Sequence, residues 1–222
     1  MSNVVITGAG RGIGLALSRQ FAERGDTVHA TCREASTGLE ALDVNVIAGV
    51  DVTDAKSLAQ LAARLDGIGI DILVNNAGVM KPTEFDKFDQ QLDAFRIQLE
   101  VNSIAPLRVT RALVNRMQRG SKVFIVSSRM GSIGDNDSGG HYGYRMSKAA
   151  ANMAGVCLAH ELKDHGIAVG LLHPGYVRTD MTGNTGNVDP AESAAGLIRR
   201  IDELSLETTG SFRHANGEEL TW

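Results

Sequence analysis

Cysteine, proline and long apolar runs are scarce in this sequence, and each absence excludes a class of protein. The 222 residues include two cysteines and four prolines. Cys32 and Cys157 lie far apart in unrelated segments, which excludes a disulfide framework and favours reduced thiols that pack in the interior. No stretch approaches the roughly 18 consecutive apolar residues of a membrane span.

A large excess of charge is also absent. The formal net charge is −4 and the sequence pI is about 5.9, so neither nucleic acid nor an anionic membrane is an expected partner. The first residues enter a strand pattern at once, so no targeting segment is predicted. These features lead us to expect a soluble, cytoplasmic protein.

Apolar residues and glycines are what the chain has in quantity. Hydrophobic residues make up 43% and there are 25 glycines, which suits one domain over residues 1–222 with many tight turns. Predicted strands, several of them apolar at consecutive positions, are Asn3–Thr7, Thr27–Thr31, Asn45–Val50, Ile70–Asn75, Lys122–Ser127 and Ile167–His173. Predicted helices are Gly12–Arg24, Asp54–Leu65, Asp89–Met117, Tyr144–His165 and Pro190–Leu204. This alternation predicts a single α/β domain of the Rossmann type, a doubly wound parallel sheet. The tail is expected to add an edge strand around Ser211–His214 and then to run over the surface.

A glycine-rich turn follows the first predicted strand. It reads Thr7-Gly8-Ala9-Gly10-Arg11-Gly12-Ile13-Gly14 and leads directly into a helix. Glycines there let the backbone turn sharply and approach a pyrophosphate, which would bind the free N–H groups at the helix N-terminus. By itself such a turn can be purely structural, but its position between strand and helix favours nucleotide binding.

Four further motifs follow along the chain. They are Asp51-Val52 after the third predicted strand, Asn75-Asn76-Ala77-Gly78 after the fourth, Pro174-Gly175 after the sixth, and Tyr144 with Lys148 on a predicted helix. Together with the glycine turn, the set resembles the cofactor and catalytic motifs of the short-chain dehydrogenase/reductase family over nearly the whole chain. The resemblance implies a reversible, nicotinamide-dependent reduction of a ketone or an aldehyde to an alcohol.

Two segments narrow the resemblance to one branch of that family. Arg129–Asn136 and Tyr144–Ala150 are similar to the C-factor-like branch, which includes carbonyl reductases of the sniffer kind. The namesake of the branch is associated with intercellular signalling. A dinucleotide-binding signalling protein in which catalysis is secondary is therefore the alternative function.

Tyr144 and Lys148 suit the proton transfer that such a reaction needs. The pKa of a free tyrosine is about 10, and a lysine one helical turn away is expected to lower it by favouring the phenolate. Residues four apart lie about 40° from each other around a helix and share a face. Tyr142 lies about 120° from Lys148 and is expected to precede the helix. Tyr144 is therefore the predicted acid-base, and the resemblance implies that Lys148 also binds the nicotinamide ribose.

Ser127 and Ser128 both end the fifth predicted strand. By the resemblance, the catalytic serine is followed three residues later by a glycine, so Gly131 selects Ser128 as the group that polarises the substrate oxygen. Ser127 is expected to be structural, because successive strand residues face opposite ways. The connection from Ser128 to Tyr144 is longer than the resemblance implies. We expect the excess, at 134–140, to be a solvated loop rather than a cation site, since it lacks ligand spacing.

Asn102 matches the fourth catalytic position of the family. Pro106 lies four residues later and has no N–H, so the Asn102 carbonyl loses its helical partner. An ordered water linked to Lys148 would satisfy that carbonyl. A simple proline kink is the alternative.

The end of the second strand bears on the choice between NADP(H) and NAD(H). An NAD enzyme places an acidic residue there, which binds the ribose 2′-hydroxyl and repels a 2′-phosphate. Cys32 stands near that position and Arg33 follows it, and Arg11 is a second basic residue, so NADP(H) is the expected preference. Glu34 could be the ribose acceptor, which keeps NAD(H) possible, and the two arginines could be ordinary surface charges. The residues expected to bind the cofactor are Gly8, Gly10, Arg11, Gly12, Ile13, Gly14, Arg33, Asp51, Val52, Asn75, Ala77, Gly78, Tyr144, Lys148, Pro174, Gly175, Val177 and Thr179.

No metal site is predicted, because the six histidines show no ligand spacing. His173, just before Pro174, is a candidate contact of the nicotinamide. The substrate is expected to be a small carbonyl or alcohol compound in a mainly apolar pocket, beneath a mobile lid at Tyr176–Val188. Residues expected to border the pocket are Met80, Arg129, Met130, Tyr142, Tyr176 and Met181.

Self-association is a further expectation. The family resemblance implies a homodimer or a homotetramer in which the predicted helices Asp89–Met117 and Tyr144–His165 pair across a two-fold axis. Small residues on the second helix would permit close approach, although internal packing explains them equally well.

The substitution Tyr144→Phe removes only the transferable proton. We expect turnover to fall by at least about 100-fold, the lower range for general acid catalysis, with cofactor binding largely intact. Steady-state kinetics and a cofactor titration measure the two quantities. Tyr142→Phe is the matched control, and near-normal turnover in Tyr144→Phe together with loss in Tyr142→Phe would contradict the assignment.

Overall fold

The computed structural model describes residues 1–222 as one seven-stranded parallel sheet with helices on both faces. The strands are β1 (Asn3–Thr7), β2 (Thr27–Thr31), β3 (Asn45–Ile47), β4 (Ile70–Asn75), β5 (Met117–Val126), β6 (Ala168–His173) and β7 (Phe212–His214). The helices are α1 (Gly12–Glu23), α2 (Thr37–Glu40), α3 (Ala55–Arg64), α4 (Leu92–Leu99), α5 (Ala105–Leu113), α6 (Tyr142–Lys163) and α7 (Pro190–Glu203). The strand order β3-β2-β1-β4-β5-β6-β7 confirms the predicted doubly wound sheet.

The sheet separates two apolar layers, which is why its strands are apolar at consecutive positions. In β1, Val4 and Ile6 pack in the layer under α1 and α7, whereas Val5 packs in the layer under α3, α5 and α6. All three are fully buried. None of the helices combines the length and the apolar character required to traverse a lipid bilayer.

The prediction of one continuous helix over Asp89–Met117 was wrong. It consists of α4, a π-helical segment at Glu100–Ile104, and α5, with Pro106 in the first turn of α5. Proline is tolerated in a first helical turn, because the N–H that it lacks has no helical partner there. The predicted helix also ended at Met117, which is the first residue of β5. This strand pairs with β4 at Met117 and then regularly only from Lys122 onwards.

The structure also differs from the prediction at other elements, and the remaining boundaries shift by one or two residues. Strand β3 ends at Ile47 rather than Val50. The short helix α2 was missed, although Ser36 caps it by accepting a hydrogen bond from the Leu39 N–H. Helix α6 begins at Tyr142, so the expectation that Tyr142 precedes the helix was wrong; the chain enters α6 through His141, whose φ is +48°.

The C-terminal residues do not simply run over the surface after β7. They turn back, and the Leu220 N–H donates to the Phe212 carbonyl oxygen at 2.9 Å while the His214 N–H donates to the Glu218 carbonyl oxygen at 2.8 Å. The ring of Trp222 stacks on that of Phe212 with centroids 5.4 Å apart. Residues Phe212–Trp222, called here the C-terminal hairpin, therefore cover the outer edge of the sheet.

Candidate active site

The residues predicted to bind cofactor or substrate meet at one edge of the sheet. Each predicted group follows the carboxyl end of a parallel strand, so all of them lie at the same edge. The groups are Gly8–Gly14 after β1, Arg33 after β2, Asp51-Val52 after β3, Asn75–Gly78 at the end of β4, Ser128 after β5 and Pro174–Thr179 after β6. Helix α6 brings Tyr144 and Lys148 to the same place, since Lys148 contacts the end of β5.

The glycine turn after β1 has a backbone that other residues would strain or block. Gly8 and Gly12 have φ values of +66° and +56°, in the left-handed region that favours glycine. A Cβ on Gly14 would lie 2.4 Å from the Gly8 carbonyl oxygen, which is closer than any real contact. The sequence pattern therefore reflects two backbone conformations and one close approach.

Asn76 holds this turn against β4, and the sequence analysis missed it. Its side-chain amide donates to the Thr7 and Gly8 carbonyl oxygens at 2.9 and 3.1 Å. The Thr7 hydroxyl in turn accepts the Asn76 and Ala77 N–H groups, both at 3.1 Å. Asn75, which was predicted to bind cofactor, instead directs its amide to the Thr110 hydroxyl at 3.3 Å. The two adjacent asparagines gave no signal of which one faces the turn.

The start of α1 can hold a pyrophosphate. Its N-cap residue, Arg11, makes no side-chain cap, and the first turn contains no acidic residue. The first N–H groups of a helix have no partner within the helix and carry its positive dipole end. The glycine turn thus provides a cradle that a side chain would fill, beside free donors, which fits a dinucleotide phosphate.

Two arginines stand near the expected adenosine end. Arg33 is exposed just beyond β2, and its side chain has no hydrogen-bond or ion-pair partner. Arg11 pairs with Asp180 at 3.3 Å, and both side chains are mostly exposed. Glu34 is also exposed and lies three residues past the last residue of β2. Hydrogen bonds from the Thr53 hydroxyl and N–H lower the pKa of the Asp51 carboxyl, which keeps it an acceptor.

Ser128 and Tyr144 lie together in the interior, and Ser127 does not join them. Both side chains are buried, and Ser128 acts to lower the pKa of the Tyr144 phenol. The Ser128 oxygen accepts the Met130 N–H at 3.2 Å. Ser127 turns the other way and donates to the Asn152 side-chain oxygen at 2.5 Å. Geometry thus gives the two adjacent serines different neighbours.

Lys148 is buried and has one protein acceptor. Its ammonium group donates to the Val126 carbonyl oxygen at 2.8 Å and lies 5.7 Å from the centre of the Tyr144 ring. Burial lowers the pKa of Lys148 to about 8. An ammonium has three donors, so two remain for other partners such as ribose hydroxyls.

The expectation that Lys148 lowers the pKa of Tyr144 was wrong for this state of the protein. Burial raises the pKa of Tyr144 to about 12, although Ser128 opposes the rise. Removing a phenolate from water disfavours it, and here the cost of burial exceeds the stabilisation by Ser128. Tyr144 is therefore protonated across the neutral range.

Gly131 is required for the contact between the serine segment and α6. A Cβ at this position would lie 2.6 Å from the Lys148 carbonyl carbon and 2.8 Å from the Lys148 Cβ. Only glycine lets the segment after Ser128 approach the helix this closely. The glycine three residues after the serine therefore has a steric reason.

Asn102 lies in the π-helical segment and fastens the loop after β4. Its side chain accepts the Val79 N–H and donates to the Val79 carbonyl oxygen, both at 2.8 Å, and also donates to the Ser147 hydroxyl at 2.9 Å. The sequence analysis left a simple proline kink before Pro106 as the alternative, and the structure has a π-helical segment there. Such segments are frequent at functional sites. The side chain of Asn102 links β4 to α6 close to Tyr144 and Lys148.

The segment after β6 lies against the glycine turn. Gly175 has a φ of +91°, and a Cβ on Gly12 would lie 3.2 Å from the Thr179 methyl group. Val177 is buried and pairs with Val188, which closes Tyr176–Val188 into a loop. His173 packs its ring 4.9 Å from that of His214, and burial is the main cause that lowers its pKa to about 3.

Comparison with known proteins agrees with this arrangement. The model of the short chain dehydrogenase family matches residues 2–189. The chain belongs to that family, and it is accordingly an oxidoreductase with the family's Rossmann-type fold.

Three proteins show which members of the family the chain is similar to. It is 45% identical over 228 residues, the whole of both chains, to 1-hydroxy-2-glutathionyl-2-methyl-3-butene dehydrogenase of Rhodococcus sp. strain AD45. It is 40% identical over 155 residues to the C-signal of Myxococcus xanthus, covering 69% of this chain and 93% of that one. The crystal structure of NADPH-bound carbonyl reductase from chicken fatty liver superposes with a TM-score of 0.90 at 30% identity, over 100% of this chain and 99% of that one. The resemblance to the branch with C-factor and carbonyl reductases is confirmed.

The burial of Lys148 predicts a stability that depends on pH. A pKa lowered from 10.5 to about 8 means that the charged form destabilises the fold by about 3 kcal/mol. We expect Lys148→Met to raise the free energy of unfolding by up to this amount below about pH 8. The gain should disappear as the pH rises towards 10.5, where the lysine is neutral in both states.

Urea unfolding at several pH values, without cofactor, measures this difference. Lys163→Met, a solvent-exposed substitution at the end of the same helix, is the control. A destabilised Lys148→Met protein at neutral pH would contradict the argument.

Proposed function

We propose that this protein is an NADP(H)-preferring reductase that interconverts a ketone or an aldehyde and an alcohol. Tyr144 is the acid-base, Ser128 polarises the substrate oxygen, and Lys148 holds the nicotinamide ribose. The observation that supports this best is that Ser128 and Tyr144 are both buried beside the ammonium of Lys148, which has one protein acceptor.

The protein's part in such a reaction is the proton. The nicotinamide supplies or accepts the hydride when bound. During reduction, Tyr144 donates its proton to the oxygen that gains charge, and its high pKa keeps it protonated near neutral pH. During oxidation the proton of the substrate hydroxyl passes to the Tyr144 oxygen, and Ser128 favours the phenolate that accepts it. Lys148 carries its charge below about pH 8, where its ammonium would hold the ribose hydroxyls.

The preference for NADP(H) rests on Arg33 and Arg11. The Arg33 side chain has no protein partner and is free to bind a 2′-phosphate, while Arg11 would exchange Asp180 for it. Charge-assisted hydrogen bonds of this kind contribute roughly 1.5–3 kcal/mol each. Glu34 is the residue that would support NAD(H) instead, but its position beyond β2 speaks against contact with the ribose.

Arg33→Ala tests the cofactor assignment. We expect the KM for NADPH to rise roughly tenfold, which is about 1.4 kcal/mol, and the KM for NADH to change little. Arg19→Ala, at an exposed position on α1, is the control. Equal kcat/KM for NADH and NADPH in the unaltered protein would rule the preference out.

The proposed substrate class draws on a relative as well as on the site. The Rhodococcus relative is named as a dehydrogenase of an alcohol that carries a glutathionyl group. A primary alcohol or aldehyde on a glutathione conjugate is therefore a candidate beside simple ketones and aldehydes. Turnover of such a panel, measured with both cofactors in both directions, tests the proposed reaction; no turnover of any member would refute it.

A signalling role is the second candidate, and the likeness to the C-signal favours it. The presence of Ser128, Tyr144, Lys148 and Asn102 in one site speaks for catalysis. Tight binding of NADP(H) without turnover of any compound in the panel would favour the signalling role instead.

We also propose that the protein assembles as a homodimer or homotetramer in the cytoplasm. Apolar side chains on α4 and α6 are left in water, with exposed fractions of 44% for Ile97, 50% for Met146 and 66% for Met153. Such a patch on neighbouring helices is typical of a protein interface.

Light scattering measures the assembly. We expect a mass at least twice the 23.6 kDa of the single chain. The substitution Met153→Asp places a charge in the patch and should shift the mass towards that of the monomer. A mass near 23.6 kDa for the unaltered protein would exclude self-association.

A further inference from the structure

The C-terminal hairpin touches the segment that carries Ser128. Arg129 directly follows Ser128, and its guanidinium donates to the Glu218 carboxylate at 2.6 Å. The Gly134 N–H donates to the main-chain oxygen of Trp222 at 2.8 Å. The serine segment is thus held near both of its ends by residues that lie about 90 positions later in the chain.

Glu218 is the close anionic partner of Arg129. The next carboxylate, Asp135, lies 4.0 Å from the guanidinium. The imidazoles of His173 and His214 are neutral, because burial and the charge of Arg129 lower their pKa values. Part of the Arg129 guanidinium is buried without a partner, so its place in the structure depends on the bond to Glu218.

Arg129 controls the position of the serine through a short turn. Residues Arg129–Gly131 form a single helical turn, and the Ser128 oxygen caps it by accepting the Met130 N–H. Gly131, at the end of this turn, contacts the main chain of Lys148. A displaced Arg129 would therefore move the Ser128 hydroxyl relative to Tyr144.

The ion pair between Arg129 and Glu218 contributes little to the stability of the folded state. The two side chains are 41% and 49% exposed, and pairs in that situation contribute little to stability. A small displacement of a catalytic group, by contrast, can reduce turnover strongly. The effect of Glu218 should therefore be seen in catalysis more than in folding.

We propose that Glu218, acting through Arg129, is a positioning residue that holds the Ser128 hydroxyl against Tyr144. The inference rests on the proposed function, because it takes Ser128 as the group that polarises the substrate oxygen. The C-terminal hairpin then contributes to catalysis in addition to covering the edge of the sheet.

The test compares Glu218→Ala with Glu219→Ala. Glu219 is the matched control, since it is the exposed neighbour in the C-terminal hairpin and its side chain has no partner. We expect Glu218→Ala to lower kcat by about tenfold, while the dissociation constant of NADPH and the Tm stay near those of the unaltered protein. Glu218→Gln, which keeps the shape and one acceptor, should recover part of the loss. Glu219→Ala should behave as the unaltered protein.

A second measurement does not depend on turnover. The phenolate of Tyr144 is titrated by ultraviolet difference spectroscopy in the complex with NADP⁺, and the signal of Tyr144→Phe is subtracted. Ser128 acts to lower the pKa of Tyr144, so Ser128→Ala should raise that pKa. Glu218→Ala should raise it in the same direction, whereas Glu219→Ala should not.

The outcomes separate this inference from the proposed function. A raised Tyr144 pKa in Glu218→Ala, in a protein that turns over no substrate, would support the positioning role and refute the proposed reaction. Unchanged kcat and titration in Glu218→Ala, in a protein that does turn over substrate, would overturn the positioning role alone. A fall in Tm and cofactor affinity that Glu218→Gln shares would show a structural role and would also overturn it.

Discussion

The ammonium group of Lys148 is taken out of water by α6 and the end of β5, where the Val126 carbonyl oxygen is its one protein acceptor. Burying a charged group is costly unless it is paired and hydrogen-bonded, and this one is only partly satisfied. The surrounding structure must therefore supply the missing stability. The same burial keeps Tyr144 protonated, so one constraint sets the charge state of both groups.

Much of the remaining site consists of main chain brought close to main chain. Gly14 and Gly131 are positions where a single methyl group would separate two elements, α1 from β1 in one case and the serine segment from α6 in the other. Side-chain amides then join the elements, Asn76 to the glycine turn and Asn102 to the loop after β4. The chemistry depends on these contacts, because the cofactor turn after β1 and the proton-transfer groups on α6 come from elements far apart in the chain.

Sequence reasoning reached the elements and residues that depend on local patterns. Consecutive apolar residues identified the parallel strands, and helical spacing placed Tyr144 and Lys148 on one face of α6. It failed where tertiary packing decides: the π-helical segment at Asn102, the different neighbours of Asn75 and Asn76, and the rise in the pKa of Tyr144. Desolvation is a property of the assembled interior, so no spacing in the sequence could reveal that it dominates the pKa of Tyr144.

The return of the tail along β7 also bears on how the chain behaves in a crowded solution. An exposed edge strand offers unpaired N–H and C=O groups to any other strand, including those of incompletely folded neighbours. Here residues 218–220 occupy those groups on β7, and the opposite edge strand, β3, is only three residues long. The sheet therefore has little free edge to template aggregation, and a chain nicked within the tail would lose that protection at one side.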